Sequence, residues 1–397
     1  MLDFDAALGL VLDAVTPAAV ERVPVLHAAG RVLAEPVVAK SPLPEFDYSA
    51  MDGYAIWSAD LAPDGGVLPI RGASAAGSAP HRLTPGTAMR IFTGGPVPQG
   101  ADAIVLQEDV SSDGEHAHFR ERPAPGSHIR KRGEDLEAGK EALAAGVRLN
   151  PFQLGLAAAL DYAELVVTKA PNVALLCTGD ELRAPGSSGP PGSIPESNGV
   201  ALAALVQAAG GSAHLCVRTS DALEATRRAL ENALGLAEVV VTCGGVSVGD
   251  RDVVKSSLES LGVTTVFHKV AIKPGKPLYF GKLGRQRILG LPGNPASAQV
   301  TFSLFGLPLL RALLGRRDRL PERTRARLTR SIEQKPGRRT FCRGILEGAQ
   351  VTPLDNQASG ASTAMAWANA VLVISEHTSF CEAGSEVEVI PFAELYK

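Results

Sequence analysis

The sequence predicts a multidomain α/β protein built around a parallel sheet with helices on both faces. A β-rich region precedes this sheet and a compact β unit follows it. Two observations carry the prediction. From residue 171 onward, short apolar runs alternate with helical stretches of about 10 to 15 residues, the rhythm of a parallel sheet. Three glycine-bearing loops follow those runs, and ligands of such sheets bind beyond the carboxyl ends of the strands. At about 150 residues per domain, 397 residues accommodate two to four domains.

In chain order, Asp3 stands at a helix-capping position before Phe4, Leu8, Val11, Leu12 and Val15, which recur at helical spacing. Residues 1 to about 45 end in the proline-rich Ser41-Pro-Leu-Pro44. Residues 46 to 139 alternate short β-like runs (67–70, 103–106) with Gly and Pro, which predicts a small β-rich domain. Residues 140 to 170 turn helical and then strand-like at 165–168. If they pack onto the first segment, the β-rich part is an insertion. In 171–317 the spacing predicts strands at 173–177, 214–217, 238–242 and 287–290. Helices are predicted at 199–209, 221–234 with Asp221 as cap, 252–261, and 295 to about 314. The tail from 318 opens on Arg316, Arg317, Arg319, Arg323, Arg325, Arg327 and Arg330, then reads as β at 340–346, 371–375 and 387–390.

Composition narrows the function classes. Lys and Arg number 39 against 42 Asp and Glu, a net charge of −3, so no global field draws the chain to nucleic acid or an anionic membrane. The N-terminal segment has no basic region and no cleavage site, and the apolar run 300–310 is shorter than a membrane span of about 20 residues. Five scattered cysteines without Cys-x-x-Cys fit neither a disulfide framework nor a Cys-based zinc site. Together these features indicate a cytoplasmic protein.

The loops carry the chemistry. Gly244 to Asp250 lies between a strand and a helix, where backbone N–H groups and the helix dipole hold a phosphate; it is neither a Walker A loop nor a G-x-G-x-x-G. Gly245, Ser247 and Gly249 also spell G-x-S-x-G, with His377 downstream, so a serine hydrolase is an alternative. Asp250 and Asp252 beside the supposed nucleophile oppose an oxyanion, and no HGGG-like donor loop is visible. In Lys273-Pro-Gly-Lys276-Pro277, two prolines and a glycine hold two lysines on a stiff turn, an arrangement that suits an anion. Asp180 and Glu181 follow one strand, Asp250 and Asp252 another, and carboxylates beside a phosphate loop suit Mg²⁺. Two further loops, 46–55 and 91–102, are dense in acid, glycine and polar residues without a general catalytic signature.

These loops make the chain recognisable. Ser49-Ala-Met-Asp-Gly-Tyr-Ala55, Thr93 to Asp102 (T-G-x-x-x-P-x-G-A-D), Arg132-Gly-Glu-Asp135, Thr178-Gly-Asp-Glu-Leu182, Gly244 to Gly249, Lys273 to Pro277 and Gly290-Leu-Pro-Gly-Asn-Pro295 are seven motifs in one order across nearly the whole chain. In these motifs the sequence closely resembles the molybdopterin molybdenumtransferase (MoeA) family, which includes the gephyrin E domain.

The resemblance implies an elongated homodimer with four domains. These are a discontinuous first domain (1–45 with 140–170), an inserted β-rich domain (46–139), a doubly wound, molybdopterin-binding-like α/β domain (171–317) and a C-terminal β-barrel-like domain (318–397). It implies insertion of molybdate into adenylylated molybdopterin with Mg²⁺-dependent release of AMP. A molybdopterin adenylyltransferase would act upstream, and apo-molybdoenzymes or chaperones would receive the product. By the same resemblance, Asp52, Thr93, Asp135, Glu181, Asp252, Lys273 and Lys276 are the catalytic residues, with Glu181, Asp252 and Asp52 toward the metal. Thr178, Gly179, Asp180, Asp221, Gly244, Gly245, Ser247, Gly249, Lys269, Pro292, Gly293, Asn294 and Pro295 fall to the pterin nucleotide. Lys273, Lys276 and Pro277, an arginine among Arg338, Arg339 and Arg343, and a hydroxyl of Ser359, Ser362 or Thr363 fall to molybdate. Two departures stand out. Thr219-Ser-Asp221 replaces the Asp-Asp-Pro of many relatives, and Thr363-Ala364 replaces a usual Ser-Ser. A non-catalytic, gephyrin-like scaffold is a further alternative, disfavoured by the intact Asp52, Asp252, Lys273 and Lys276.

Overall fold

The computed structural model describes residues 1–245 and 253–396. The described chain packs as two compact units. One comprises Met1–Glu35, Gly146–Asn150 and Glu164–Lys397, the other Pro36–Ala145 and Pro151–Ala163.

The first unit is organised by a six-stranded sheet of β1 (Asn172–Thr178), β2 (Ser212–Thr219), β3 (Val239–Cys243), β4 (Thr264–His268), β5 (Tyr279–Leu283) and β6 (Gln286–Leu291), in the order β2-β1-β3-β6-β5-β4. β2, β1, β3 and β6 run parallel, as the alternating pattern predicts. The sheet then departs from that pattern, because β5 pairs antiparallel with both β6 and β4. A two-residue turn at Gly284-Arg285 joins β5 to β6. Gly284, at φ +54°, takes the left-handed conformation that such hairpins need.

Side chains on β1 alternate between two cores. Val173, Leu175 and Cys177 face a cluster with α1 (Phe4–Asp13), α2 (Asn198–Ala208) and α5 (Pro295–Leu313). Ala174 and Leu176 face Leu230 and Leu234 of α3 (Leu223–Leu236) and Val254 and Leu258 of α4 (Val253–Ser260). A strand buried on both faces reads as a continuous apolar run, which is why 173–177 carries no polar alternation. Helix α5 is long and apolar enough to cross a membrane, yet 94% of its apolar window is buried inside this unit, so its apolarity serves the core. It includes a π-helical stretch at Phe302–Gly306. Asp221 does not cap α3. The helix starts one residue later, with Ala222 at the cap position and no side-chain cap, and the Asp221 N–H donates to Asp180 instead. The strand Glu164–Thr168 pairs antiparallel with Val20–Pro24.

The tail forms a closed ring of five strands, β7 (Thr324–Leu328), β8 (Arg339–Glu347), β9 (Gln350–Pro353), β10 (Ala370–Ile374) and β11 (Glu386–Pro391), paired β8-β9-β7-β11-β10 and back to β8. The arginine-rich patch is largely the solvated face of this barrel. Ala326 and Leu328 of β7 point inward, while Arg323 and Arg325 pair with Glu388 and Glu386, and Arg330 with Asp355. The short strand Ile272–Lys273 adds to β8 in parallel.

The second unit is built on a six-stranded sheet running Ala103–Leu106, Gly53–Ile56, Ala88–Ile91, Gly66–Ser74, His116–Phe119 and Val110–Ser112. Ile56, Leu61, Leu68, Ala88, Ala117 and Phe119 fill one core, and Ala55, Ile91, Ile104 and Ile129 a second. The helix Pro151–Ala159 belongs to this unit, and the following Tyr162 hydroxyl exchanges hydrogen bonds with both backbone groups of Val38.

Helix α1 buries Phe4, Ala7, Leu8 and Val11 in the core of the first unit, and Phe4 carries a mixed aromatic and charged contact. Asp3 caps it by accepting from the Ala6 N–H at 2.8 Å. Phe4 meets Phe305 of α5 edge-on at 5.3 Å and Phe341 of β8 at 5.2 Å. Above Phe4 lies the Arg339 guanidinium, which donates twice to Glu376 and also to Asp5. Hydrogen bonds from Arg339, the leading cause, hold the Glu376 carboxyl at about 2, below its ordinary 4.5. A depressed carboxyl stabilises the fold above its unfolded value and loses that contribution as pH falls toward the folded one. Arg339→Met should therefore lower the urea midpoint at neutral pH, at a cost of about 1.5–3 kcal/mol. The gap from wild type should close as pH falls from about 4.5 to about 2. Equal midpoints at neutral pH would contradict this role.

Candidate functional site

The parallel strands β1, β2, β3 and β6 all end on one side, and their loops enclose an open cleft of about 950 Å³. Thr178-Gly-Asp-Glu181 comes from β1, Asp221 from beyond β2, Cys243-Gly-Gly245 from β3, and Pro292-Gly-Asn-Pro295 from β6; Pro277 adds a further side.

The glycines are there for backbone approach. Gly244 (φ +88°) and Gly245 (φ +66°) are left-handed; a Cβ on Gly244 would lie 2.6 Å from the Thr178 carbonyl oxygen, and one on Gly245 2.5 Å from Val254. Such turns aim successive N–H groups into a concavity, which suits a phosphate. The Thr178 hydroxyl is buried beside them without a hydrogen-bond partner among the described residues. The remainder of this loop, with Val246, Ser247, Gly249, Asp250 and Asp252, lies outside the described residues. His377, the base a hydrolase would need, sits on an exposed turn after β10 and does not line the cleft.

Negative charge gathers on one wall. A Cβ on Gly179 would lie 2.6 Å from a Glu181 carboxylate oxygen, so Glu181 folds back over a residue that offers no side chain. Burial, followed by the charges of Asp180 and Glu181, pushes the Asp221 carboxyl above its ordinary range. This local surplus of negative charge suits a cation. Among the described residues no group of three or more His, Cys, Asp or Glu forms a complete metal cage. A partial donor set is what Mg²⁺ uses when a phosphate supplies its remaining oxygens.

Reasoning from the sequence missed the cleft's remaining wall, Ile194–Asn198. Glu196 is buried and accepts from the Gly199 N–H at 2.7 Å, satisfying the start of α2. Asn198 donates to the Gly293 carbonyl at 2.8 Å and so fixes the loop after β6. The available signal was Glu196-Ser-Asn198 directly before a helical run, the composition of a capped helix start.

The lysine turn leans on α5. Gly275 is left-handed (φ +101°), and its missing Cβ would lie 2.1 Å from Thr301 Cγ2, so only glycine fits. Lys273 and Lys276 are exposed and carry no ion pair among the described residues. Lys269 takes a left-handed φ of +84°, uncommon for a non-glycine residue, and its N–H donates to Leu278. The three arginines differ. Arg339 is engaged by Glu376 and Asp5, and Arg343 is fully buried, donating to the Asn356 and Ala358 carbonyls. Arg338 carries no ion pair among the described residues and is partly exposed. Ser359 is hydrogen-bonded to Asn294 at 2.9 Å, while its carbonyl accepts from the first turn of α5; Thr363 is exposed on the helix Ser362–Trp367.

In the second unit Asp52 and Thr93 form a pair. The Asp52 carboxylate accepts from the Thr93 N–H at 2.7 Å and from its hydroxyl at 2.8 Å, which holds the carboxyl below its ordinary range. The Thr93 hydroxyl hydrogen is thus committed within its own chain, and lone pairs remain to face outward. Asp135 is exposed in the same unit, its backbone N–H donating to Leu43.

Parallel strands with a glycine-lined, acid-walled cleft at their carboxyl ends define an α/β binding domain for a phosphate-bearing ligand. Comparison then identifies the family. The MoeA N-terminal region (domain I and II) matches residues 2–160, a "Probable molybdopterin binding domain" matches 174–312, and the MoeA C-terminal region (domain IV) matches 325–392. A molybdopterin molybdenumtransferase 2 of Mycobacterium tuberculosis is 39% identical, covering 92% of this chain and 94% of its own. A molybdopterin molybdenumtransferase of Haemophilus influenzae is 36% identical over 100% of both chains. A crystal structure of a molybdopterin biosynthesis MoeA protein from Pyrococcus horikoshii superposes with a TM-score of 0.88 at 32% identity, covering 99% of both chains. The chain belongs to the molybdopterin molybdenumtransferase family and is a transferase.

Thr93→Val removes one of the two hydrogen bonds on Asp52 and keeps the backbone one. NMR titration should show the Asp52 carboxyl rising part of the way to its ordinary value, with stability unchanged within about 0.5 kcal/mol. No rise at all would separate the two residues.

Proposed function

We propose that this protein inserts molybdate into adenylylated molybdopterin with Mg²⁺-dependent release of AMP, as a step of molybdenum cofactor biosynthesis. The observation that carries the reading is the cleft itself: glycine turns fit for a phosphate stand beside an acid wall, and two lysines without an ion pair among the described residues project from a braced turn that adjoins the cleft through Pro277. A tetrahedral dianion leaving water needs fixed positive charge, and a preset turn loses little entropy in supplying it. Lys273 and Lys276 take that role, with Arg338 as the available arginine and Ser359 as the hydroxyl beside Asn294.

Gly244, Gly245 and the loop through Gly249 hold the phosphate of the pterin nucleotide, while Thr178, Asn294 and Lys269 bound its place. Glu181 and Asp252, with Asp52, would hold Mg²⁺, which when bound supplies positive charge against the phosphates. Asp180 and Asp221 reinforce the same negative wall. Asp52, aligned by Thr93, together with Asp135, completes the machinery as a contribution from the inserted region of a partner subunit, so the active species is a homodimer. The protein works in the cytoplasm, between a molybdopterin adenylyltransferase and apo-molybdoenzymes or their chaperones.

Initial rates of cofactor formation against molybdate and Mg²⁺ test this. Lys276→Ala should raise the half-saturating molybdate about tenfold or more, the scale of one charge-assisted contact, and excess molybdate should recover part of the rate. Lys276→Arg should rescue only partly, since a planar fork fits this compact anion less well than a point charge. Asp252→Ala should respond to added Mg²⁺ and not to molybdate. A wild-type dependence on molybdate in Lys276→Ala would overturn the anion role. Sedimentation of fully active protein as a monomer would overturn the shared site.

A further inference from the structure

We propose that Arg90 is a positioning residue that holds Asp52 and Thr93 together; the assignment rests on Asp52 acting in the proposed reaction. Arg90 lies in the strand Ala88–Ile91 of the second unit, directly opposite Tyr54 in the strand Gly53–Ile56. Asp52 immediately precedes the second of these strands, and Thr93 follows the first by two residues. The Asp52 carboxylate accepts from both the N–H and the hydroxyl of Thr93, so the pair lasts only while the two strand ends keep their spacing.

The Arg90 guanidinium ties three segments at that point. Nη1 donates to the carbonyl of Gly53, the residue after Asp52, at 3.0 Å. Nη2 donates to the Gln107 side chain, and the Gln107 backbone N–H donates to the Asp52 carbonyl at 3.1 Å. Asp52 is therefore bracketed by two residues that Arg90 joins. Two rings also hold the guanidinium. Tyr54 lies 5.1 Å from it, and Phe92, the neighbour of Thr93, lies 4.9 Å away, both within the range of cation–π attraction. Tyr54 is anchored in turn, edge-on to the buried Phe119 at 6.3 Å. Gly53 has no room on its other side, since a Cβ there would lie 2.0 Å from the Val105 carbonyl oxygen. A planar fork suits this place better than an ammonium, because it directs two donors from its edge and offers flat faces to aromatic rings. Orientation is what such a clamp supplies, and a misplacement of about 1 Å at a reacting group can cost about a hundredfold in rate.

Amide hydrogen exchange and steady-state kinetics of the full chain test this with two variants. Arg90→Met keeps an unbranched side chain and donates nothing, whereas Arg90→Lys keeps the charge and one directed donor. Arg90→Met should speed exchange of the Thr93 N–H about tenfold, while amides of the strand Ala103–Leu106 keep wild-type protection. kcat should fall about tenfold, with half-saturating molybdate within about twofold of wild type. Arg90→Lys should recover part of both losses. Wild-type exchange at Thr93 in Arg90→Met would overturn the proposal, as would faster exchange shared by the whole sheet, the mark of general destabilisation. A raised half-saturating molybdate with unchanged kcat would also overturn it, by placing Arg90 in anion binding. Asp52→Asn separates this inference from the reading beneath it. Wild-type kcat in that variant would refute the part of Asp52 in the reaction, and exchange at Thr93 would still decide whether Arg90 holds the pair.

Discussion

A Cβ on Gly244 would strike the Thr178 carbonyl, and one on Gly293 would lie 3.4 Å from the Gly244 Cα. The loops leaving β1, β3 and β6 therefore approach backbone to backbone, and the Cys243 thiol donates to the Pro292 carbonyl between them. This close approach is possible because the three strands are parallel neighbours and end at the same level. The rest of the cleft depends on it: Glu181 folds over Gly179, and Asn198 reaches across to the Gly293 carbonyl. Side chains at these positions would force the loops apart and dissolve the concavity before any charged group could act.

Charge is then distributed by what the surrounding fold leaves uncompensated. Most arginines of the tail are spent. Arg323 and Arg325 pair with Glu388 and Glu386 of β11, Arg339 is held by Glu376 and Asp5, and Arg343 is buried against carbonyls. Lys273 and Lys276 differ because the turn that bears them is braced from below, by Gly275 against Thr301 and by the strand Ile272–Lys273 against β8. Packing there fixes the backbone and leaves the ammonium groups facing solvent. The acid wall shows the converse, since Asp221 sits near Asp180 and Glu181 and resists ionisation. A protein that keeps like charges together at both places has fixed sites prepared for counter-charges.

The central sheet was legible because strands buried on both faces leave continuous apolar runs and the helices between them show their period. The antiparallel strands β4 and β5 were not, for Tyr279–Leu283 carries no distinctive run and the turn signal of the β5–β6 hairpin is the modest Gly284-Arg285. Likewise β7 was hidden under its arginines, although Ala326 and Leu328 alternate with Arg325 and Arg327 as a half-buried strand should. Asp221 looked like a helix cap by residue type, and its position one residue too early was decided by the turn that Thr226 closes on the Ser220 carbonyl.

By itself the sequence determined the α/β class and the family, because glycine, proline and charge at fixed spacing record backbone demands directly. Only the tertiary structure decided which arginine stays available, which hydroxyl sits beside Asn294, and that Glu196 and Asn198 form a wall of the cleft. Those outcomes depend on which groups meet from distant segments: Arg339 with Asp5, Asn294 with Ser359, Asn198 with Gly293. A side chain's charge is written in the sequence, whereas its neutralisation or exposure is settled by partners brought within hydrogen-bond reach only when the sheet and the barrel have closed.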